Sequence, residues 1–235
     1  GSATEFSDEE YYETISKTLY MDELIKRHSE IMSRRDPEGK IGLIVDEWGC
    51  WYDVEEGTNP GFLYQQNTMR DAIVAACNLN IFNNDKVVMA NLAQAVNVLQ
   101  SLILTEGEKM VKTPTYHVFD LFKTHQGGEL CYSYANNCQA GGKIPMISQS
   151  ASVKDGVLTV TIANCSIDDD AHICCDIAGE NYQNIECRIL DNEVRDYNDF
   201  DNCDKVAPKE YSAKMTEKGF EIDLPKCSVV VVTMR

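Results

Sequence analysis

Two carboxylates, Asp46 and Glu47, close the apolar run Ile41-Gly-Leu-Ile-Val45, and Trp48, Trp51 and Tyr52 follow at once. The run is short, rich in branched residues and bounded upstream by Asp36-Pro37-Glu38-Gly39. It reads as a strand buried on both faces, as in a parallel sheet covered by helices. Alternation along that strand puts Leu43, Val45 and Glu47 on one face and Ile44 and Asp46 on the other. Chemistry in α/β folds sits at the C-terminal ends of parallel strands, and a carboxylate there, walled by aromatics, suits a sugar site. An acid merely paired with an Arg or Lys is the plain alternative, and this run alone favours neither.

The elements that must position these groups come next. Ser7-Asp-Glu-Glu10 has capping-box form, and apolar residues recur at Met21, Leu24, Ile25, His28, Ile31 and Met32. One helix, or two broken near Asp22, therefore runs to about Arg34 and is stopped by Asp36-Pro37. His28 on that stripe reads as a packed core histidine. After the Glu47 strand a long loop leads through Pro60-Gly61, and Thr68 with Asp71 opens another helix. Lys86 to Asn91 reads as the next strand, and Gln94 to Leu104 as a helix. Strand, helix, strand and helix in that order make a βαβ unit with a right-handed crossover. Gln94 then stands just beyond a strand end, where its amide can donate to and accept from hydroxyls or simply face water. Thr113-Pro114 starts a last helix, with Tyr116, Phe119 and Phe122 on its apolar side; His117 and His125 read as core residues.

Three blocks now carry a resemblance. Ile41 to Tyr52, Gly57-Thr-Asn-Pro-Gly-Phe-Leu-Tyr-Gln-Gln-Asn-Thr-Met-Arg-Asp71 and Met89-Ala-Asn-Leu-Ala-Gln-Ala-Val-Asn-Val-Leu-Gln100 resemble glycoside hydrolase family 51. These are retaining α-L-arabinofuranosidases built on a (β/α)₈ barrel. The resemblance implies that Glu47 is the catalytic nucleophile at the end of strand seven, that Gln94 contacts the bound arabinofuranose, and that Trp51 walls the same pocket. It implies no cofactor, a partner that is an arabinose-containing oligosaccharide or polysaccharide, and a homo-oligomer for the intact enzyme.

Beyond Gly128 the character changes. Leu130–Ala135, Ile147–Val153, Val157–Ala163, Ala171–Ile177, Ile185–Leu190, Ser212–Thr216, Phe220–Leu224 and Val229–Met234 all read as strands. Asp155-Gly156 and Lys218-Gly219 are hairpin signals between them. Such punctuation predicts an all-β sandwich or jelly roll, and the resemblance implies the same. The expected fold class is therefore α/β plus all-β: a C-terminal fragment of a (β/α)₈ TIM barrel over residues 1–128, then a jelly-roll-like β-sandwich over 129–235.

Composition bounds the rest. A formal net charge of −17 disfavours nucleic acid and anionic membrane as partners and suits a neutral substrate. No apolar run reaches membrane-spanning length, and the Gly1-Ser2 start has the look of a cloning scar. Ten cysteines include no Cys-x-x-Cys, and Cys174-Cys175 is a poor zinc arrangement. Free, mostly buried thiols in a reducing, cytoplasmic compartment are the expectation. Asp168-Asp-Asp170 and the acids from Asp196 to Asp204 lack a calcium-loop spacing and read as solvated loops; no metal site is expected.

A retaining glycosidase needs a second carboxyl group about 5–5.5 Å from the nucleophile. The family's acid/base lies in an Asn-Glu pair well upstream; Asn192-Glu193, in the β-rich half, does not qualify. Only two barrel strands, about a quarter of the eight the fold requires, precede the sandwich. The chain thus looks like the C-terminal portion of a family member that needs the missing barrel half. Two alternatives stay open: a non-catalytic piece whose sandwich serves packing or carbohydrate binding, and a related clan enzyme acting on xylosides or glucans.

Overall fold

A computed structural model describes residues 1–235. Helix α1 (Asp8–Arg35) starts on the expected capping box: the Ser7 hydroxyl accepts from the Glu10 N–H, and the Glu10 carboxylate accepts from the Ser7 N–H. It is one unbroken helix. Tyr11, Tyr12, Ile15 and Ile25 are its buried residues, while His28 and Ile31 face solvent. The expected core histidine at His28 is thus corrected, because nothing packs on the last turns of α1.

Strand β1 (Leu43–Trp48) and strand β2 (Val87–Leu92) form a parallel pair connected through helix α2 (Met69–Phe82). The crossover is the expected βαβ unit, and Thr68 with Asp71 forms the expected capping box. Burial on both faces does not occur. Ile44, Val88 and Met89 are 48%, 66% and 53% exposed, because helices cover one face of the pair only. Helix α2 is the opposite case, with nearly every residue buried.

The helix expected over Gln94–Leu104 is absent. An irregular segment leads instead into the hairpin β3 (Ile103–Glu106) and β4 (Lys109–Lys112). Its causes are local. Val96, Val98, Ile103 and Thr105 are β-branched, and Asn97 and Leu99 take positive φ. The Asn97 side chain also accepts from the Thr105 N–H at 2.7 Å and donates to the Thr105 hydroxyl at 2.7 Å. Helix α3 (Pro114–Phe122) follows as expected, capped by Thr113.

Nine short strands make up the β-rich half: β5 (Glu129–Cys131), β6 (Ile147–Lys154), β7 (Val157–Asn164), β8 (Ala171–Asp176), β9 (Ile185–Asp191), β10 (Lys209–Tyr211), β11 (Lys214–Met215), β12 (Gly219–Leu224) and β13 (Ser228–Met234). The strand expected over Leu130–Ala135 stops at Cys131, that expected over Ser212–Thr216 shrinks to β11, and β10 just before it was not expected. A six-stranded sheet runs β10-β9-β13-β7-β6-β5, and a three-stranded one β11-β12-β8. Between them lies a core that includes Leu158, Val160, Ile189, Phe220, Ile222 and Val232. The other face of the large sheet packs on α2, so Ala163, Leu190, Val229 and Val231 share a second core with α1, α2 and α3. A polar contact runs through this junction: Asn80 accepts from the hydroxyls of Ser150 (3.0 Å) and Thr161 (2.8 Å) and donates to Ser148 (3.1 Å). No helix is long and apolar enough to cross a membrane.

Candidate active site

Trp48, not Glu47, continues the buried face of β1. In the pairing with β2, Val45 faces Ala90 and Trp48 faces Leu92, so three steps on β1 match two on β2. This bulge shifts the alternation by one residue and corrects the expectation that Leu43, Val45 and Glu47 share a face. Trp48 is buried against Phe82 of α2 and stacks parallel to Phe119 of α3 at 5.9 Å between centroids. Its anchorage leaves Glu47 exposed at the strand end.

The backbone after Glu47 is held from inside by two buried amides. Gln100 accepts from the Cys50 N–H (2.9 Å) and donates to the Asp71 carbonyl (2.9 Å) and the Thr115 hydroxyl (3.3 Å). Gln65 accepts from the Tyr52 N–H (2.9 Å) and donates to the Cys50 carbonyl (3.2 Å). Gly49, at φ +131°, turns the chain where any Cβ would sit 3.4 Å from the Gln100 Cβ. These contacts leave Trp51 outside, 68% exposed.

Beneath the turn, the Arg70 guanidinium lies between the rings of Phe6 and Tyr52, 3.8 Å from each centroid. It donates to the carbonyls of Ser2 and Ala3 at 3.1 Å. Burial pushes the neighbouring Asp71 carboxyl up to about 6, although Arg70 and the Thr68 N–H pull it back. Burial also pushes the Cys50 thiol up to about 12 and the Tyr52 hydroxyl well above its ordinary value. The Cys50 thiol and the Tyr52 hydroxyl are thus neutral supports near pH 7, whereas the Asp71 carboxyl is largely ionised there and is committed to the Thr68 N–H.

Glu47 and Trp51 border one cavity of about 500 Å³ between α1 and the end of β1. The other acids on its wall are Glu10, committed to the capping box, and Glu13, paired with Lys17 at 2.7 Å. Gln94 is exposed just past β2, on the same end of the parallel pair, and borders a separate cavity of about 700 Å³ with Phe62, Tyr64 and Phe200. Asn192 and Glu193 lie far along the chain after β9, where Glu193 is 3.9 Å from Lys226.

Elsewhere, Asp168 accepts from the Tyr12 hydroxyl (2.6 Å) and Asp196 pairs with Lys205 (2.8 Å), so these acids tie loops down as well as facing water. All ten cysteines are free, but only Cys77, Cys165, Cys187 and Cys227 are buried; the expectation of mostly buried thiols is corrected. Nothing in the sequence marks Gln65, Gln100 and Arg70 as supports. Their type at those positions says nothing of what they reach, and only the fold brings them under the turn.

A family model described as the alpha-L-arabinofuranosidase C-terminal domain matches residues 46–228. The chain belongs to glycoside hydrolase family 51. An intracellular exo-alpha-L-arabinofuranosidase of Bacteroides ovatus is 38% identical over 246 residues, spanning all of this chain and 48% of that protein. The solved family-51 arabinofuranosidase from Xanthomonas axonopodis pv. citri is 39% identical, with a TM-score of 0.92 over all of this chain and 49% of its own. The Thermotoga maritima α-L-arabinofuranosidase, 23% identical, shares the fold with a TM-score of 0.82 over 97% of this chain and 50% of its own. This chain therefore spans about half the length of the relatives it matches, and it matches the family's C-terminal portion.

Proposed function

We propose that this chain supplies the nucleophile, Glu47, of a retaining α-L-arabinofuranosidase that releases terminal arabinofuranose from arabinan- or arabinoxylan-type glycans. The observation that carries it is the bulged end of β1, which displays Glu47 beside exposed Trp51 over an open cavity in a family-51 chain. Glu47 attacks the anomeric carbon and forms a covalent glycosyl-enzyme. A second carboxyl group first protonates the leaving oxygen and then activates water. Glu10 and Glu13 are both engaged, so the acid/base comes from outside these 235 residues. Trp51 walls the sugar pocket, and Gln94, at the same strand end, contacts the arabinofuranose. No cofactor takes part.

The same proposal takes residues 1–128 as two units of a (β/α)₈ barrel, open where its neighbours belong, and 129–235 as a jelly-roll-like sandwich. The exposed inner side chains Ile44, Val88 and Met89 support it. Free thiols and the intracellular relative favour a cytoplasmic setting, and the intact enzyme is taken to be a homo-oligomer.

Hydrolysis of an aryl α-L-arabinofuranoside tests the proposal. The 235-residue chain alone is expected to be inactive. The chain joined to the missing barrel half is expected to be active, and Glu47→Gln to abolish that activity. Full activity of the chain alone, lost in Glu47→Gln, would mean that a carboxylate inside it serves as acid/base.

A second reading has its own observation. Tyr132 and Tyr134 stand exposed beside an apolar cavity of about 650 Å³ at the side of the sandwich, which suits carbohydrate binding without catalysis. Retardation of the whole chain in arabinan gels, lost in Tyr132→Ala, would favour it; unchanged mobility would remove it.

A further inference from the structure

The antiparallel register of β8 and β12 sets His172 opposite Asp223 and Cys174 opposite Glu221, on the solvent face of the three-stranded sheet. His172 Nδ1 lies 2.7 Å from Asp223 Oδ1, and its Nε2 lies 3.5 Å from Cys174 Sγ. A carboxylate only accepts, so the ring proton belongs on Nδ1 and the Nε2 lone pair faces the thiol. A thiol, a base and an acid that orients the base are thus in line, the arrangement that activates a nucleophile. All three residues are exposed.

Cys174 also borders the 650 Å³ apolar cavity. The charged groups around it are Asp176 on β8, Glu221 and Asp223 on β12, and Lys214 on β11, which is bound to Glu221 at 3.1 Å. That face is acidic on balance and repels anions.

We propose that Cys174 is a thiol-modification site that exchanges with small neutral or cationic disulfides. In the step, the Cys174 proton passes to His172 Nε2 as the sulfur attacks one sulfur of the reagent. The reagent's S–S bond breaks and a mixed disulfide forms on Cys174. The departing thiolate takes up the proton from the imidazolium, which Asp223 has steadied. The disulfide is the oxidant, and the released thiol is its reduced half. The site is independent of the glycosidase proposal and lies on a different part of the chain.

Two other exposed cysteines serve as internal controls: Cys138, and Cys203, whose sulfur faces the Asp204 carboxylate at 3.7 Å. The whole chain is treated with cystamine at pH 7, and the rate at each cysteine is read by peptide mass spectrometry. Because the site is solvated, its general-base assistance falls well short of an enclosed enzyme site; Cys174 is expected to react about fivefold faster than either control. His172→Gln removes that lead, and Asp223→Asn reduces it. At pH 10, where an ordinary thiol ionises unaided, the wild-type lead disappears. Oxidised glutathione, which is anionic, reacts at Cys174 more slowly than cystamine does. Equal rates at the three cysteines at pH 7, or a lead that survives His172→Gln, would overturn the proposal.

Discussion

Strand β13 has a neighbour on each edge and is buried along nearly its whole length, whereas β1 has a single neighbour and buries only Trp48. Both strands are rich in branched apolar residues. Val229 to Val232 are covered by the small sheet on one side and by the helices on the other. Leu43 and Val45 are covered by the helices alone, and Ile44 opposite them is half exposed. The same composition thus gives a finished core in the sandwich and an unfinished surface beside the candidate site. Where a strand is apolar on both faces but covered on one, the missing cover is the informative feature.

Four experiments break or sharpen this contrast. The largest effect is expected at the finished core. Phe220→Ala, fully buried between the sheets, should cost about 3–5 kcal/mol in urea unfolding. A loss near zero would mean that the sandwich is not closed there.

Next comes pH. Burial, aided by the Lys112 charge, lowers His117 from 6.5 to about 4; burial alone does the same for His125, which bridges Ser152 and Thr161. Between pH 4 and 6.5 the unfolded chain binds more protons at both sites, so their contribution is full above 6.5 and is lost as pH falls through that window. Asp71, raised from 3.8 to about 6, works the other way and weakens the fold as pH rises through that interval. Two histidines outweigh one carboxyl, so acidification from pH 7 to 4.5 should destabilise the chain. His125→Gln should reduce that pH-dependent loss by about 2–3 kcal/mol. An unchanged pH dependence in the variant would contradict this.

Gln100→Ala removes a buried amide that holds the turn after Glu47, at a cost of about 1–3 kcal/mol. Its more telling readout is local. In a Trp48→Phe background, the emission of Trp51 should report a looser turn in the Gln100 variant and an unaltered one in a distant variant such as Tyr132→Ala. The smallest effect belongs to the open surface: Met89→Ala should change stability by less than about 0.5 kcal/mol. A large loss there would mean that the inner face of the pair is covered after all.

Much of this was legible in the sequence. Ser7 with Glu10, Thr68 with Asp71, and Thr113-Pro114 signalled the three helix starts because capping is local chemistry. The strands of the sandwich were legible from alternation and turn residues. Three things were not. The bulge at Asp46-Glu47 depends on how Trp48 seats between Phe82 and Phe119, which are distant in sequence. The β3–β4 hairpin was hidden by apolar residues at helical spacing, while the Asn97 side chain and the turn at Gly107 favour extended chain. Exposure along the end of α1, including His28, follows from the lack of a packing partner, which no periodicity encodes. Of the candidate site, Glu47 and Trp51 meet at one cavity, while the buried amides that hold their backbone come from long-range contacts.

The most direct test is covalent trapping. The chain joined to the missing barrel half is incubated with a mechanism-based arabinofuranoside analogue, digested and mapped by mass spectrometry. One glycosyl adduct is expected on the peptide containing Glu47, absent in Glu47→Gln. An adduct on another residue, or none in an enzyme that is turning over, would contradict it.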